Sequence, residues 1–153
     1  MSGIDTRHLF DLFVTADAGQ VRVGDAPCGR RRIVAITGER FEGDRLRGRI
    51  LPGGADWILE RSDGVLEMDV RMTLETDDGA FVYVTFRGFR HGPREVLDRI
   101  VRGERVDPGE YYQRAALFFE TGAGGYLWLN RIVSVATAQR HPDHILYRVF
   151  EIL

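Results

Sequence analysis

The sequence predicts an all-β fold, a closed antiparallel up-and-down barrel of about eight to ten strands with one short helix. Three observations lead to this prediction. The chain has 18 glycines, which separate short runs of alternating apolar and polar residues. The run 65–76 alternates strictly between apolar and polar residues, and its alternating apolar positions extend from Leu66 to Leu74. Only one segment follows a helical period instead. At 153 residues, we expect one domain spanning 1–153.

The strands follow one another along the chain with short turns between them. Asp-Gly pairs at 63–64 and 78–79 mark two tight turns. The predicted strands are 8–16, 20–24, 31–38, 45–51, 57–60, 65–76, 80–88, 110–121, 125–138 and 144–152. The exception is 92–104, where Pro93 suits the first turn of a helix and Gly103 suits its end. We expect this helix to plug or cover one end of the barrel.

Composition excludes several function classes. The net charge of −2 gives no attraction to nucleic acid or to membranes, and no apolar run is long enough to span a bilayer. The single cysteine, Cys28, rules out an intrachain disulfide, and together with the lack of a signal peptide it favours a cytoplasmic location. The chain has no lysine, which excludes Schiff-base catalysis through lysine. Its four histidines lack metal-ligand spacing, so we expect no metal and no cofactor.

A polar face runs along the hairpin 65–88. Asp69 and Arg71 lie on the first strand, and Tyr83 and Arg87 share a face of the second. If this face points inward, it lines a cavity for an anionic or carbonyl-bearing ligand. If it points outward, it is a surface salt-bridge ladder. The pattern itself allows both orientations.

A second candidate group for the site is Asp56 and Trp57. They lie at the end of the glycine-rich turn 52–56, a position where residues at a barrel mouth contact ligands. Alternatively, the aspartate caps its own turn and the tryptophan fills the core.

A third candidate group lies on the predicted strands 110–121 and 125–138. One face of these strands combines aromatic and polar residues, as ligand pockets do. These residues are Tyr112, Glu120, Tyr126, Trp128 and Asn130. Desolvation inside a pocket would raise the pKa of Glu120 and suit it to general acid or base chemistry. The alternative is that the aromatic rings pack the barrel and Glu120 lies in solvent.

Several short motifs recur in order from about Gly29 to the end of the chain. They are ITGERFEG at 36–43, LPGGADW at 51–57, DGVLEMDVR at 63–71, TDDG at 76–79, GP at 92–93, FET at 119–121 and YLWLN at 126–130. Together they resemble the family catalogued as domain of unknown function 3237, also called uncharacterised protein family 0311. The resemblance implies a closed antiparallel barrel of lipocalin-like shape, often dimeric, and little about a reaction.

We therefore expect a barrel that binds a small carbonyl- or carboxylate-bearing metabolite. Arg71 would bind the anion, Tyr83 and Asn130 would donate hydrogen bonds, and the tryptophans would pack against the ligand. One alternative is a cofactor-independent isomerase, lyase, hydratase or cyclase that uses Glu120 or Asp56 as the base and Tyr83 or Arg71 for the oxyanion. Another is a structural dimer with a filled barrel. A homodimer through the apolar face of 66–74 requires that Asp69 and Arg71 turn inward.

Overall fold

The computed structural model describes residues 3–153, which form eleven strands, one α-helix and two 3-10 helices. The α-helix, α1, spans Arg94–Val101, and the 3-10 helices span Pro108–Glu110 and Gly124–Arg131. The strands are β1 (Thr6–Ala16), β2 (Val21–Ala26), β3 (Gly29–Gly38), β4 (Arg40–Glu42), β5 (Arg47–Ile50), β6 (Ala55–Glu60), β7 (Leu66–Thr76), β8 (Phe81–His91), β9 (Tyr112–Glu120), β10 (Ser134–Arg140) and β11 (Ile145–Ile152).

Antiparallel pairing closes eight of these strands into a ring. The order around the ring is β1, β3, β6, β7, β8, β9, β10, β11 and back to β1. The short strands β4 and β5 pair with each other and extend β3 and β6 at one end, while β2 is an edge strand paired with β3. The order around the ring therefore follows the order along the chain. The closed antiparallel barrel predicted from the sequence is confirmed.

The backbone bends at two places, between β3 and β4 and between β5 and β6. Gly38 and Glu39 have positive φ angles of 141° and 101° between β3 and β4. A non-glycine residue rarely adopts such an angle, and here the Glu39 carbonyl accepts a hydrogen bond of 2.7 Å from the backbone of Ile50. Gly54 permits the matching bend between β5 and β6, because a Cβ atom there would lie 2.4 Å from the Arg71 carbonyl oxygen. The bent strands fill the space between β1 and β7.

The apolar side chains of β7, from Leu66 to Leu74, face the interior of the barrel and are buried. Its polar side chains alternate with them and face outward. The hairpin register places Arg71 opposite Thr85 and Asp69 opposite Arg87, as a turn at 77–79 predicts. The hypothesis that the apolar face of 66–74 is a dimer interface is therefore wrong, because that face forms part of the barrel core.

One end of the barrel, the packed end, is filled by side chains. Its interior is a cluster of large apolar residues with little or no exposure: Phe10, Leu12, Phe41, Leu74, Val82, Val84, Leu117, Phe119 and Leu129. Leu129 comes from the 3-10 helix Gly124–Arg131, which covers this end. The strand predicted over 125–138 is wrong in its first half. Asn130 accounts for the difference, because its side chain holds this helix to Thr121 through hydrogen bonds.

The opposite end, the cavity end, is covered from one side by α1. Val96 and Ile100 of α1 pack with Val106 and Tyr111 in a small separate cluster. The predicted helix at 92–104 is thus present over a shorter span, after Pro93, and it covers one end as expected. None of the helices in residues 3–153 has the length and apolar character that crossing a membrane requires.

Candidate functional site

The barrel contains a cavity of about 330 Å³ at the cavity end. Its walls are largely apolar and come from the inward faces of the barrel strands: Val14, Val34, Ile36, Ile58, Leu66, Met68, Val70, Phe86 and Ile145. Polar and charged side chains interrupt these walls: Arg22, Arg32, Asp56, Arg90, Gln113, Arg140 and Tyr147. An apolar cavity with a few convergent polar groups is the usual form of a small-molecule site.

Arg90 is the most enclosed charge in the cavity. It continues the inward, apolar face of β8 after Val84 and Phe86, and its exposed fraction is 8%. Its Nε atom is fully enclosed without a hydrogen-bond partner, and its terminal amino groups form no hydrogen bond with residues 3–153. Burial, with help from the charges of Arg140 and Arg32, lowers the pKa of Arg90 to about 9. The guanidinium therefore stays protonated at neutral pH.

Three arginines converge on this part of the cavity. Arg32 of β3 and Arg140 of β10 lie close enough to Arg90 for their charges to disfavour its protonated form. Burial is the main cause that lowers the pKa of Arg32, and the charges of Arg22 and Arg140 add to it. Within residues 3–153, no carboxylate oxygen lies within 4.0 Å of the guanidinium nitrogens of these three arginines. The cluster therefore has an excess of positive charge without a bonded counter-ion.

Asp56 is the half-buried acidic group of the cavity, whereas the other two aspartates that line it, Asp17 and Asp143, are exposed. Its Oδ1 atom accepts a hydrogen bond of 3.0 Å from the backbone N–H of Asp69 on β7. Its Oδ2 atom has no hydrogen-bond partner among the described residues, and it is not among the enclosed atoms. Burial raises the pKa of Asp56 from its ordinary value of 3.8 to about 6, although the hydrogen bond and the charges of Arg90 and Arg32 act against this. Asp56 can therefore gain and lose a proton near neutral pH.

A buried polar network supports the floor of the cavity. The Gln113 Nε2 atom donates a hydrogen bond of 3.1 Å to the Tyr147 hydroxyl, and both groups lie within about 3.6 Å of the Met68 sulfur. Burial raises the pKa of Tyr147 to about 12, so its hydroxyl stays protonated. This network fixes the orientation of two side chains next to Arg90.

The mouth of the cavity is formed by α1 and by the turn between β10 and β11. His141 and His144 stack in this turn with ring centroids 4.5 Å apart, and His144 bonds Asp143 at 2.8 Å. Partial burial lowers the pKa of His141, and the charge of His144 lowers it further. Among residues 3–153, no group of three or more histidine, cysteine, aspartate or glutamate side chains is arranged to hold a metal ion.

Of the site residues predicted from the sequence, Asp56 lines this cavity. The next residue, Trp57, points to the outer face, where the Arg71 guanidinium lies 5.5 Å from its ring centroid. The prediction that six further residues lie inside the barrel is wrong. Side chains alternate along each strand, and these six face outward. They are Asp69, Arg71, Tyr83, Arg87, Tyr112 and Glu120.

The remaining three predicted residues lie at the packed end, away from the cavity. The Tyr126 hydroxyl bonds the Asp78 carboxylate at 3.0 Å. The Arg45 guanidinium lies 3.5 Å from the centroid of the Trp128 ring. The Asn130 side chain bonds the backbone of Thr121. The prediction that these three residues line the cavity is therefore wrong. Because this segment is a 3-10 helix, its side chains do not alternate as in a strand.

The residues that sequence reasoning missed share one signal. The inward face of each strand that carries one of these residues also carries an apolar residue: Val34 for Arg32, Phe86 for Arg90, Ala115 for Gln113, Ala138 for Arg140 and Val149 for Tyr147. Each is a polar interruption of an apolar face, close to the end of its strand. A search of the apolar faces, rather than the polar ones, would have found them.

Comparisons with known proteins agree on the family and the fold. A family model described as "Protein of unknown function (DUF3237)" matches residues 5–152. A UPF0311 protein of Rhodopseudomonas palustris is 39% identical over 151 residues, which cover 98% of this chain and 97% of that relative. A crystal structure of a conserved protein of unknown function from R. palustris has a TM-score of 0.94 at 36% identity and full coverage of both chains.

Two more solved structures share the barrel. A beta-barrel like protein from Acinetobacter baumannii has a TM-score of 0.86 at 39% identity, covering 100% of this chain and 98% of that one. A crystal structure described as an enzyme from Penicillium herquei has a TM-score of 0.73 at 17% identity, covering 100% of this chain and 97% of that one. At that identity the likeness concerns the fold alone.

Proposed function

The chain belongs to the DUF3237 family of proteins of unknown function, and from its cavity we propose that it binds a small, partly apolar organic anion. The ligand carries a carboxylate or a polarised carbonyl group, which is the ligand class expected from the sequence. The residue that receives this group is Arg90, instead of Arg71.

The observation that carries the proposal is the buried guanidinium of Arg90, which no carboxylate of residues 3–153 contacts directly. A charge in a protein interior is normally paired, because removing it from water costs several kcal/mol (about 3–5 where a partner is lost). Arg32 and Arg140 add two more positive charges nearby, and no carboxylate in residues 3–153 bonds the three. An organic anion in the cavity would supply the missing partner.

The shape of the cavity supports a ligand with an apolar body. Its volume of about 330 Å³ is near the lower end of ligand pockets. Phe86, Met68 and Ile58 offer apolar walls in the same cavity as the charged groups. This empty space argues against the alternative of a filled, purely structural barrel.

Isothermal titration calorimetry with sodium phenylacetate tests the proposal. Phenylacetate has a carboxylate for Arg90 and a phenyl ring for the apolar walls. We expect Arg90→Gln to weaken binding at least about tenfold, because the lost hydrogen bonds involve a charged group. Arg87→Gln is the matched control, since Arg87 lies on the same strand but faces solvent, and its affinity should stay within about twofold of wild type.

Two results would contradict the proposal. One is the absence of phenylacetate binding to the wild type at millimolar concentration. The other is equal binding by Arg90→Gln and Arg87→Gln, which would place the anion outside the cavity. Circular dichroism of both variants controls for loss of the fold.

A second candidate function is cofactor-independent acid–base catalysis, and Asp56 is the observation in its favour. Its free Oδ2 atom adjoins the cavity, and its pKa of about 6 suits a general base at neutral pH. The Asp56 carboxylate would remove a proton from a carbon next to the ligand carbonyl. Arg90 would stabilise the enolate oxygen that forms. The fold is shared with a protein described as an enzyme, which is compatible with this candidate.

Deuterium exchange at the methylene group of phenylpyruvate in D₂O tests this step by proton NMR. We expect exchange to be faster with wild type than with Asp56→Asn, and the enzymatic rate to rise with pH through about 6 as Asp56 ionises. Arg87→Gln should exchange at the wild-type rate. Equal rates for wild type and Asp56→Asn would eliminate Asp56 as the base, while the binding proposal would be unaffected.

A further inference from the structure

Asp56 and Arg90 carry opposite charges in the same cavity, but they do not form an ion pair. Each charge acts on the pKa of the other group, which shows that they are near each other. Their oxygen and nitrogen atoms are nevertheless more than 4.0 Å apart, since no salt bridge joins them among residues 3–153. Buried opposite charges normally make direct contact, because that offsets the loss of water.

Both groups also keep unused bonding capacity toward the cavity. Asp56 uses Oδ1 for the Asp69 backbone N–H and leaves Oδ2 free. Arg90 leaves its terminal amino groups without partners in residues 3–153, and they are not among the enclosed atoms. The cavity therefore offers a strong acceptor and a strong donor, separated by a gap that a ligand can bridge.

The charge balance decides which donor the ligand brings to Asp56. An ammonium or a hydroxyl group can each donate to a carboxylate. Among the charged groups of the cavity that are buried or half-buried, however, Arg32, Arg90 and Arg140 outnumber Asp56 three to one, whereas Arg22, Asp17 and Asp143 line the cavity but are exposed. The other acids near the site act more weakly, because water screens the exposed charges of Asp17 and Asp143, and Asp69 acts on Asp56 from the outer face of β7. Glu60 affects Arg32 from a distance and bonds none of the three. This surplus repels an ammonium group and leaves a neutral hydroxyl as the donor.

We infer that the ligand is a hydroxy acid with an apolar body, whose carboxylate bonds Arg90 and whose hydroxyl donates to Asp56. The inference rests on the proposed function, because it assigns the ligand class of the same cavity. It adds a specificity role for Asp56, which would select hydroxy acids over plain carboxylic acids and over amino acids.

Three probes with the same phenyl body test this inference by calorimetry at pH 8, where Asp56 is ionised. They are mandelate, with a hydroxyl, phenylacetate, with hydrogen in its place, and phenylglycine, with an ammonium. We expect mandelate to bind wild type about tenfold more tightly than phenylacetate, because a hydrogen bond to a charged group contributes this much. Phenylglycine should bind more weakly than phenylacetate.

Two variants assign the preference to Asp56. Asp56→Ala should bind mandelate and phenylacetate with equal affinity, and phenylacetate more tightly than wild type does, since a repelling charge is gone. Glu67→Ala is the control. It removes one negative charge from the outer face of β7, where Glu67 pairs with Arg61, and should keep the tenfold preference. If Asp56→Ala does not fold, Asp56→Asn replaces it and should show a reduced preference.

The possible outcomes separate this inference from the proposed function. Equal affinity of wild type for mandelate and phenylacetate overturns the inference, and so does a tenfold preference that persists in Asp56→Ala. In both cases binding that depends on Arg90 leaves the proposed function standing. If none of the three probes binds wild type, the proposed function fails, and the inference fails with it.

Discussion

The packed end and the cavity end of this barrel are built from the same strands, but they are filled differently. Strand β7 runs through both, with Leu74 fully buried at the packed end and Leu66 beside the cavity. On β8, Val82 belongs to the packed end and Arg90 to the cavity end. The alternation that builds the barrel is common to both ends. The difference lies in a few inward positions, where polar side chains replace apolar ones.

The contrast shows how a small barrel combines stability with a site. The packed end buries large aromatic and aliphatic side chains, and apolar burial contributes about 25 cal/mol per Å² to folding. The cavity end encloses charges that each cost stability when no partner meets them. We therefore expect mutations at the two ends to have different, and in one case opposite, effects.

The largest expected effect is a difference in stability loss between alanine variants of two leucines on the same face of β7. Leu74→Ala should lower the free energy of unfolding by about 3–5 kcal/mol, because it leaves a void in a close-packed region. Leu66→Ala should cost about 2 kcal/mol, because its side chain already adjoins empty space. Urea denaturation of both variants measures the difference. Equal costs would show that the two ends are packed alike.

The second effect has the opposite sign and depends on pH. Because burial raises the pKa of Asp56 from 3.8 to about 6, the folded state binds more protons than the unfolded state between these values. The contribution of Asp56 to wild-type stability therefore falls by about 3 kcal/mol as pH rises from below 4 to above 6, whereas the amide introduced by Asp56→Asn does not titrate. The variant should gain stability relative to wild type over this window. A stability difference that stays constant from pH 4 to pH 8 would contradict the raised pKa.

A third change separates structure from binding at the packed end. The Asn130 side chain makes three hydrogen bonds, to the Thr121 backbone N–H and carbonyl and to the Leu127 carbonyl. Asn130→Ala should lower the free energy of unfolding by about 2 kcal/mol, because it leaves backbone groups unpaired. Its affinity for phenylacetate should match wild type in calorimetry. Weaker binding without lower stability would return Asn130 to the site.

The smallest expected effect is on the outer face. Arg71→Ala removes a contact with the Trp57 ring on an exposed surface, so stability should fall by less than about 1 kcal/mol. Phenylacetate affinity should remain at the wild-type value. A loss of affinity comparable to that of Arg90→Gln would favour the outer polar face as the binding surface.

The barrel was predictable because alternation and turns are local properties of the sequence. The run 65–76 and the Asp-Gly turns specified β7, β8 and their register directly. The segment 124–131 was not predictable in this way, because its continuous run of aromatic and aliphatic residues, 126–129, is typical of a buried strand. In the structure this segment is a 3-10 helix, and the Asn130 side chain holds it against Thr121, the residue after β9.

The site was less accessible to sequence reasoning for a physical reason. Polar residues are mostly exposed, so the polar faces drew attention, and the structure shows that those faces are the outer surface. Arg90 lies two residues beyond the predicted end of its strand, and it lines the cavity together with Ile100 and Val101 of α1. Asp56 was found because a glycine-rich turn precedes it, although its contact with Asp69 crosses to another strand.

The central claim is that the cavity end is a binding site organised by Arg90 and Asp56. A crystal structure of the protein grown with mandelate at pH 8 tests it most directly. We predict density for one molecule inside the barrel, with its carboxylate against the terminal amino groups of Arg90 and its hydroxyl against Asp56 Oδ2. Mandelate bound on the outer face beside Arg71 and Trp57, with the barrel interior filled by side chains, would contradict the claim.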